Sequence, residues 1–154
     1  MNRRLTGAVA MLAAGTLCAL PAHAATKKHP PIKGSYALTL YPDPTQDVTG
    51  QAGTPSGCAK TIPGSYNDHP FKIPAAGKLS LVLDASSGTP STPVGPDWDL
   101  WVRDSSGQVD DGSHGSTAHE ELTEKYKKAT SITIEVCNLT GQTSGKVSYV
   151  FTYA

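Results

Sequence analysis

Six short runs of residues, each alternating apolar with polar or small side chains and each bounded by turn formers, constrain this chain to an all-β fold. Ser35 to Leu40 aligns Tyr36, Leu38 and Leu40, and Lys78 to Asp84 aligns Leu79, Leu81 and Leu83. Ser131 to Cys137 aligns Ile132, Ile134 and Val136, and Lys146 to Tyr153 aligns Val147, Tyr149, Phe151 and Tyr153. Phe71 to Ile73 and Asp97 to Arg103 complete the set. Period two puts one set of side chains on one face of a strand, and the β-branched and aromatic residues favour that conformation. Between the runs lie Gly, Pro, Ser, Thr and Asp, the residues that build turns. With 15 Gly and 12 Pro in 154 residues, the composition fits a loop-rich antiparallel domain.

The run Asp97-Trp98-Asp99-Leu100-Trp101-Val102 carries the most chemistry. Trp98, Leu100 and Val102 share one face, which predicts that they are core. Asp97, Asp99, Trp101 and Arg103 share the other. Trp101, Asp97, Asp99 and Arg103 are therefore the candidate binding residues. An indole exposed beside acidic and basic groups suits a carbohydrate or peptide; the alternative is that Trp101 packs under a covering loop. Asp97 and Asp99 are also candidate calcium ligands, with Asp104, Asp110 and Asp111 following close behind. Calcium takes six to eight oxygen ligands, and loop carbonyls with two or three Asp can supply them. The bland alternative is that one Asp ties down loop amides and the other is solvated.

The N-terminus reads as an export signal over residues 1–24. Arg3 and Arg4 precede an apolar stretch, Leu5 to Leu20, that Pro21 ends, and Ala22-His23-Ala24 fits a signal-peptidase site. Residues 25–33 read as a flexible lead-in and 34–154 as one domain. No second stretch is long and apolar enough to span a bilayer as a helix, so no membrane association is expected after cleavage. Cys18 leaves with the leader. Cys58 and Cys137 remain, which in an exported chain predicts one disulfide. The loop it closes makes it worth about 4–5 kcal/mol in the chain-entropy account.

Charge and motifs narrow the function. The chain has 13 Lys+Arg and 13 Asp+Glu, and losing Arg3 and Arg4 leaves the mature part slightly acidic. Nucleic acid is not an expected partner. Lys125, Lys127 and Lys128 follow Glu120, Glu121 and Glu124 and read as a solvated face. There is no Gly-x-Ser-x-Gly elbow and no phosphate-binding loop. His119-Glu120 begins a zinc-protease pattern, but Thr123 stands where the second His belongs. Asn138-Leu139-Thr140 matches a glycosylation sequon, with no modification expected behind a bacterial-looking leader.

Ala118 to Lys128 is ambiguous. Ala118, Leu122 and Tyr126 recur every four residues, as on one helix face, yet they also share parity, as on a strand. Tyr41 to Asp68 and Ala85 to Pro96 show no periodicity and read as long loops.

Phe71-Lys72-Ile73-Pro74-Ala75-Ala76-Gly77-Lys78-Leu79, the leucine strand, the Asp97–Val102 segment, Ile132–Asn138 and the closing strand together resemble the bacterial pre-peptidase C-terminal domain. The resemblance spans roughly Pro70 to Ala154. It implies a jelly-roll-like antiparallel β-sandwich, non-catalytic, that accompanies exported enzymes in secretion or substrate binding; related collagen-binding modules use calcium. It also implies a strand or extended loop, against the helical pattern, across Glu120–Lys127. These 154 residues are not expected to hold a peptidase domain of their own, and the Cys58 loop lies outside the family pattern. The expectation is a secreted, monomeric, non-catalytic module that needs no cofactor unless calcium binds, and that engages an extracellular polymer or protein. The rival is a structural or envelope-associated protein without a ligand site.

Overall fold

A computed structural model describes residues 29–43, 57–85, 95–115 and 117–154. The signal segment, most of the lead-in, and the middles of both long loops lie outside the described residues. Eight strands run in the order β1 (Ile32–Thr39), β2 (Tyr66–Ile73), β3 (Gly77–Ala85), β4 (Asp97–Arg103), β5 (Val109–Ser113), β6 (His119–Tyr126), β7 (Thr130–Thr140) and β8 (Ser144–Tyr153). They form two four-stranded antiparallel sheets, β1-β8-β3-β6 and β2-β7-β4-β5. Strand pairs 1·8, 2·7, 3·6 and 4·5 are nested, as if one long hairpin were rolled up. The contacts β3·β8 and β4·β7 close the roll. This is the jelly-roll sandwich.

The leucine run explains the first sheet. Leu79, Leu81 and Leu83 face Phe151, Tyr149 and Val147 of β8 in register and are fully or almost fully buried. Each contributes about 1.5–3 kcal/mol of burial. Trp98, Leu100 and Val102 answer from the second sheet, each fully buried. The two inner faces share one core. Tyr36 stacks on His69, and Phe71 meets Tyr149 edge-on at 5.0 Å, closing the sandwich where β2 faces β1 and β8.

Several elements depart from the sequence reading. The helical spacing of Ala118 to Lys128 is overruled. β6 pairs residue by residue with β3, so Leu122 reaches the core opposite Leu81 while Glu121, Thr123 and Lys125 face out. β1 takes in Ile32 and Lys33 from the lead-in. β2 is longer than its apolar part because it is an edge strand, where Pro70 needs no ladder donor. β5 has no alternating pattern at all. Its sequence, Val-Asp-Asp-Gly-Ser, becomes a strand because a tight turn folds it back on β4. In that turn Asp104 Oδ1 accepts from the Ser106 and Gln108 amides at 2.8 and 3.0 Å, and Gly107 takes a positive φ of 86°.

Candidate functional site

The outer face of the second sheet is covered rather than exposed. Cys58 is bonded to Cys137, 79 positions away, and this pins residues 57–65 over β7 and β4. Beneath them Cys58, Cys137, Trp101 and Leu139 form a second small core, with Tyr66 and Val109 against it. Trp101 is 2% exposed. His114 stacks on its ring at 5.0 Å, 9° from parallel. Gly112, directly opposite on β5, lets the ring lie where a Cβ would stand, 2.0 Å from the indole. Of the two readings of Trp101, the exposed indole is thus corrected and the covering loop holds. Strand parity does turn it away from the core, but a third layer closes over it.

Arg103 is likewise engaged inside the protein. Its Nε and Nη2 donate to the two oxygens of Glu135, both at 2.8 Å, and its Nη1 donates to the Gly107 carbonyl at 3.0 Å. Glu135 is fully buried. It also accepts from the Cys58 amide at 2.8 Å and pairs with Lys60 at 2.7 Å. Burial alone would raise its pKa. The bonds from Arg103, Lys60 and the Cys58 amide outweigh burial and hold the carboxyl below the usual range. Glu135 therefore fastens the disulfide loop to the sheet. Sequence reading passed over it because it sits in an apolar run, although its outward parity beside Cys137 was the available signal.

Asp97 and Asp99 lie close enough to interact electrostatically. Asp99 is 1% exposed, and its Oδ2 and the Asp97 Oδ1 are buried with no hydrogen-bond partner among the described residues. Burial, then the charges of Asp97 and Glu120, push Asp99 up to about 7, against a weaker pull downward from the Trp101 indole. That indole N–H approaches without reaching hydrogen-bond geometry. The neighbouring carboxylate, Glu120, is already held by Ser113 Oγ and, at 3.1 Å each, by the Gly115 amide and Thr117 Oγ1. Two orphan oxygens fall short of a calcium shell. Among the described residues no group of three or more His, Cys, Asp or Glu is arranged to hold a metal. Among the described residues, Asp97 and Asp99 by themselves supply too few oxygens for a calcium shell.

The sequon asparagine is also structural: Asn138 Nδ2 donates to the Leu40 and Gln142 carbonyls at 2.8 and 2.9 Å, fully buried.

Open surface lies elsewhere. One groove, about 480 Å³, runs beside the disulfide between Lys60 and Thr133. Two more, about 300 Å³ each, meet at Lys125 and Tyr126 at the end of β6. One reaches over Gly77 to Tyr153, the other toward Lys127 and Lys128. Sequence reading missed this site because its two tyrosines come from strands 27 positions apart that only β3 brings together.

The architecture defines a disulfide-stapled jelly-roll sandwich. No protein-family model matches the chain, and no curated protein does. Among solved structures it is similar to the pre-peptidase C-terminal domain of a collagenase from Bacillus anthracis, at 12% identity over 80% of this chain and 88% of that one, with a TM-score of 0.41. The described residues include no helix long and apolar enough to cross a membrane.

Proposed function

We propose that this protein is a secreted, non-catalytic binding module, of the pre-peptidase C-terminal kind, that engages an extracellular polymer or protein as a monomer. One observation carries the reading: two open grooves meet at Lys125 and Tyr126 on a paired sheet, lined by lysines and by the partly buried Tyr126 and Tyr153. A few charged groups on a pre-formed concave surface suit binding without reorganisation. The disulfide supports export to an oxidising compartment. Trp101 and Arg103 are assigned no ligand contact in this reading.

The test is co-sedimentation of the oxidised mature domain with insoluble polymers: collagen fibres, cell-wall sacculi, pectin and cellulose. Retention on at least one, lost in a Lys125→Glu/Lys127→Glu variant that keeps its melting midpoint, is the expected result. A second reading, a structural protein without a ligand site, is favoured by how fully Arg103, Glu135 and Asn138 are consumed as internal braces. Absence of retention on every polymer would decide for it.

A further inference from the structure

Strand β6 ends the first sheet and is paired with β3 on one side only. The Ala85 amide donates to the Ala118 carbonyl at 2.8 Å, which fixes the phase of that ladder. Main-chain groups alternate along an antiparallel pair. Those of Glu120, Leu122, Glu124 and Tyr126 therefore turn toward β3, and those of Glu121, Thr123 and Lys125 turn away. His119 shares the outward phase but is capped: the Thr117 hydroxyl donates to its carbonyl at 2.8 Å and accepts from its amide at 3.4 Å. Among the described residues, the other three have no main-chain partner on that side. Their side chains are exposed. Edge strands are commonly blunted by proline, a bulge or brevity. β2 has Pro70, and β5 has five residues beside a bulge. β6 has eight residues in unbroken register with β3, so its charges alone decide which strand it accepts.

The charge order of this edge answers itself. A second copy turned antiparallel about Thr123 sets its Lys125 opposite Glu121, its Thr123 opposite Thr123 and its Glu121 opposite Lys125. All three positions carry outward main-chain groups in both copies, so each forms a hydrogen-bonded pair that exchanges two bonds. Directly opposed side chains of opposite charge then come within reach of each other. Lys125 already faces Lys78 across β3, and like charges so placed cost stability. The second copy's Glu121 offsets that repulsion. β1, the other regular edge, has Lys33 as its one charged residue and offers no such match. We infer that β6 is a self-pairing edge, at which two copies of this chain join antiparallel about Thr123 into one continuous sheet. Exposed ion pairs are individually weak, and the same register sets Leu122 beside the second copy's Glu124, which opposes it. The affinity is on the order of 0.1–1 mM. Single copies prevail in dilute solution, as in the binding-module reading, and pairs form where copies crowd. The inference goes beyond that reading and does not rest on it.

The experiment is equilibrium sedimentation of the oxidised mature domain from about 0.02 to 2 mM. Wild type should pass from monomer toward dimer and no further. Raising salt from roughly 0.05 to 0.5 M should weaken the pairing severalfold. Glu121→Lys alone and Lys125→Glu alone each place like charges across the axis, and each should stay monomeric. Mixed in equal amounts, those two variants should associate, because one edge then carries only lysines at these positions and the other only glutamates. Association on mixing also shows that both are folded. The exchange Glu121→Lys/Lys125→Glu should pair as wild type does. Amide exchange at Glu121, Thr123 and Lys125 should slow as wild-type concentration rises, while exchange along β1 stays the same. Wild type that remains monomeric throughout overturns the inference, as does a dimer indifferent to salt or to the single reversals. A ladder of larger species overturns it in favour of β6 meeting β1 head to tail. None of these outcomes bears on polymer retention, so the inference and the binding-module reading fail separately.

Discussion

Glu135 shows at the scale of one residue how a charge becomes structure. It is buried, with a bidentate arginine, a lysine and a backbone amide around it. Glu135→Ala removes the carboxylate that Arg103 and Lys60 share, leaving Arg103 its Gly107 carbonyl, and should cost about 3–5 kcal/mol in urea unfolding. The pH profile follows from the same side chains. Glu135, with its pKa depressed, contributes stability above its unfolded value that is lost on acidification. Asp99 and Glu124 are both raised to about 7, chiefly by burial and then by neighbouring carboxylates. Their contribution is full below the unfolded carboxylate value and is lost as pH rises through about 7. The urea midpoint should therefore peak below neutrality, and Asp99→Asn should flatten the alkaline limb. A limb of unchanged slope in that variant would remove Asp99 from the account. Calcium and chelator should give the same melting midpoint. A rise with calcium that Asp97→Asn/Asp99→Asn abolishes would mean that the ion finds ligands beyond the described residues.

Strand β5 is the informative element. It carries no pattern, pairs only with β4, and exists because Asp104 and Gly107 turn the chain and Trp101 gives Gly112 something to cover. Gly112→Ala should force the β5 backbone off the indole, costing about 1–3 kcal/mol, with increased amide exchange confined to β5. If exchange is unchanged, the close approach is not what holds the edge. β6 teaches the converse lesson. Its residues share both helical spacing and strand parity, and the local pattern leans toward the helix because strand parity adds Glu120 and Glu124 to the apolar face. The deciding term is the unpaired edge of β3, whose amides and carbonyls β6 satisfies in full register.

For the whole molecule, the disulfide joins the covering loop to the centre of the second sheet. Cys58→Ser/Cys137→Ser should lose up to about 4–5 kcal/mol. Its tryptophan emission should shift toward the red as the layer over Trp101 loosens while Trp98 stays in the core. An unshifted spectrum would mean that the layer holds without the bond. The core of both sheets was legible in the chain: Leu79, Leu81, Leu83, Trp98, Leu100, Val102, Ile132, Ile134 and Val136 were all placed by period two, and all are buried. The cysteine pair was legible by count, since two remain after the leader.

What the chain determined unaided is what depends on near neighbours: which residues share a strand face, where turns fall, and that one bond joins Cys58 to Cys137. Alternation fixes faces because a strand's geometry repeats every two residues whatever surrounds it. What only the tertiary structure decided is which outward faces meet water. Trp101 and Lys78 both point away from the core by parity. One is sealed under a loop anchored from 79 positions away and the other borders an open groove. That difference arises from contacts distant in sequence, which no local pattern encodes.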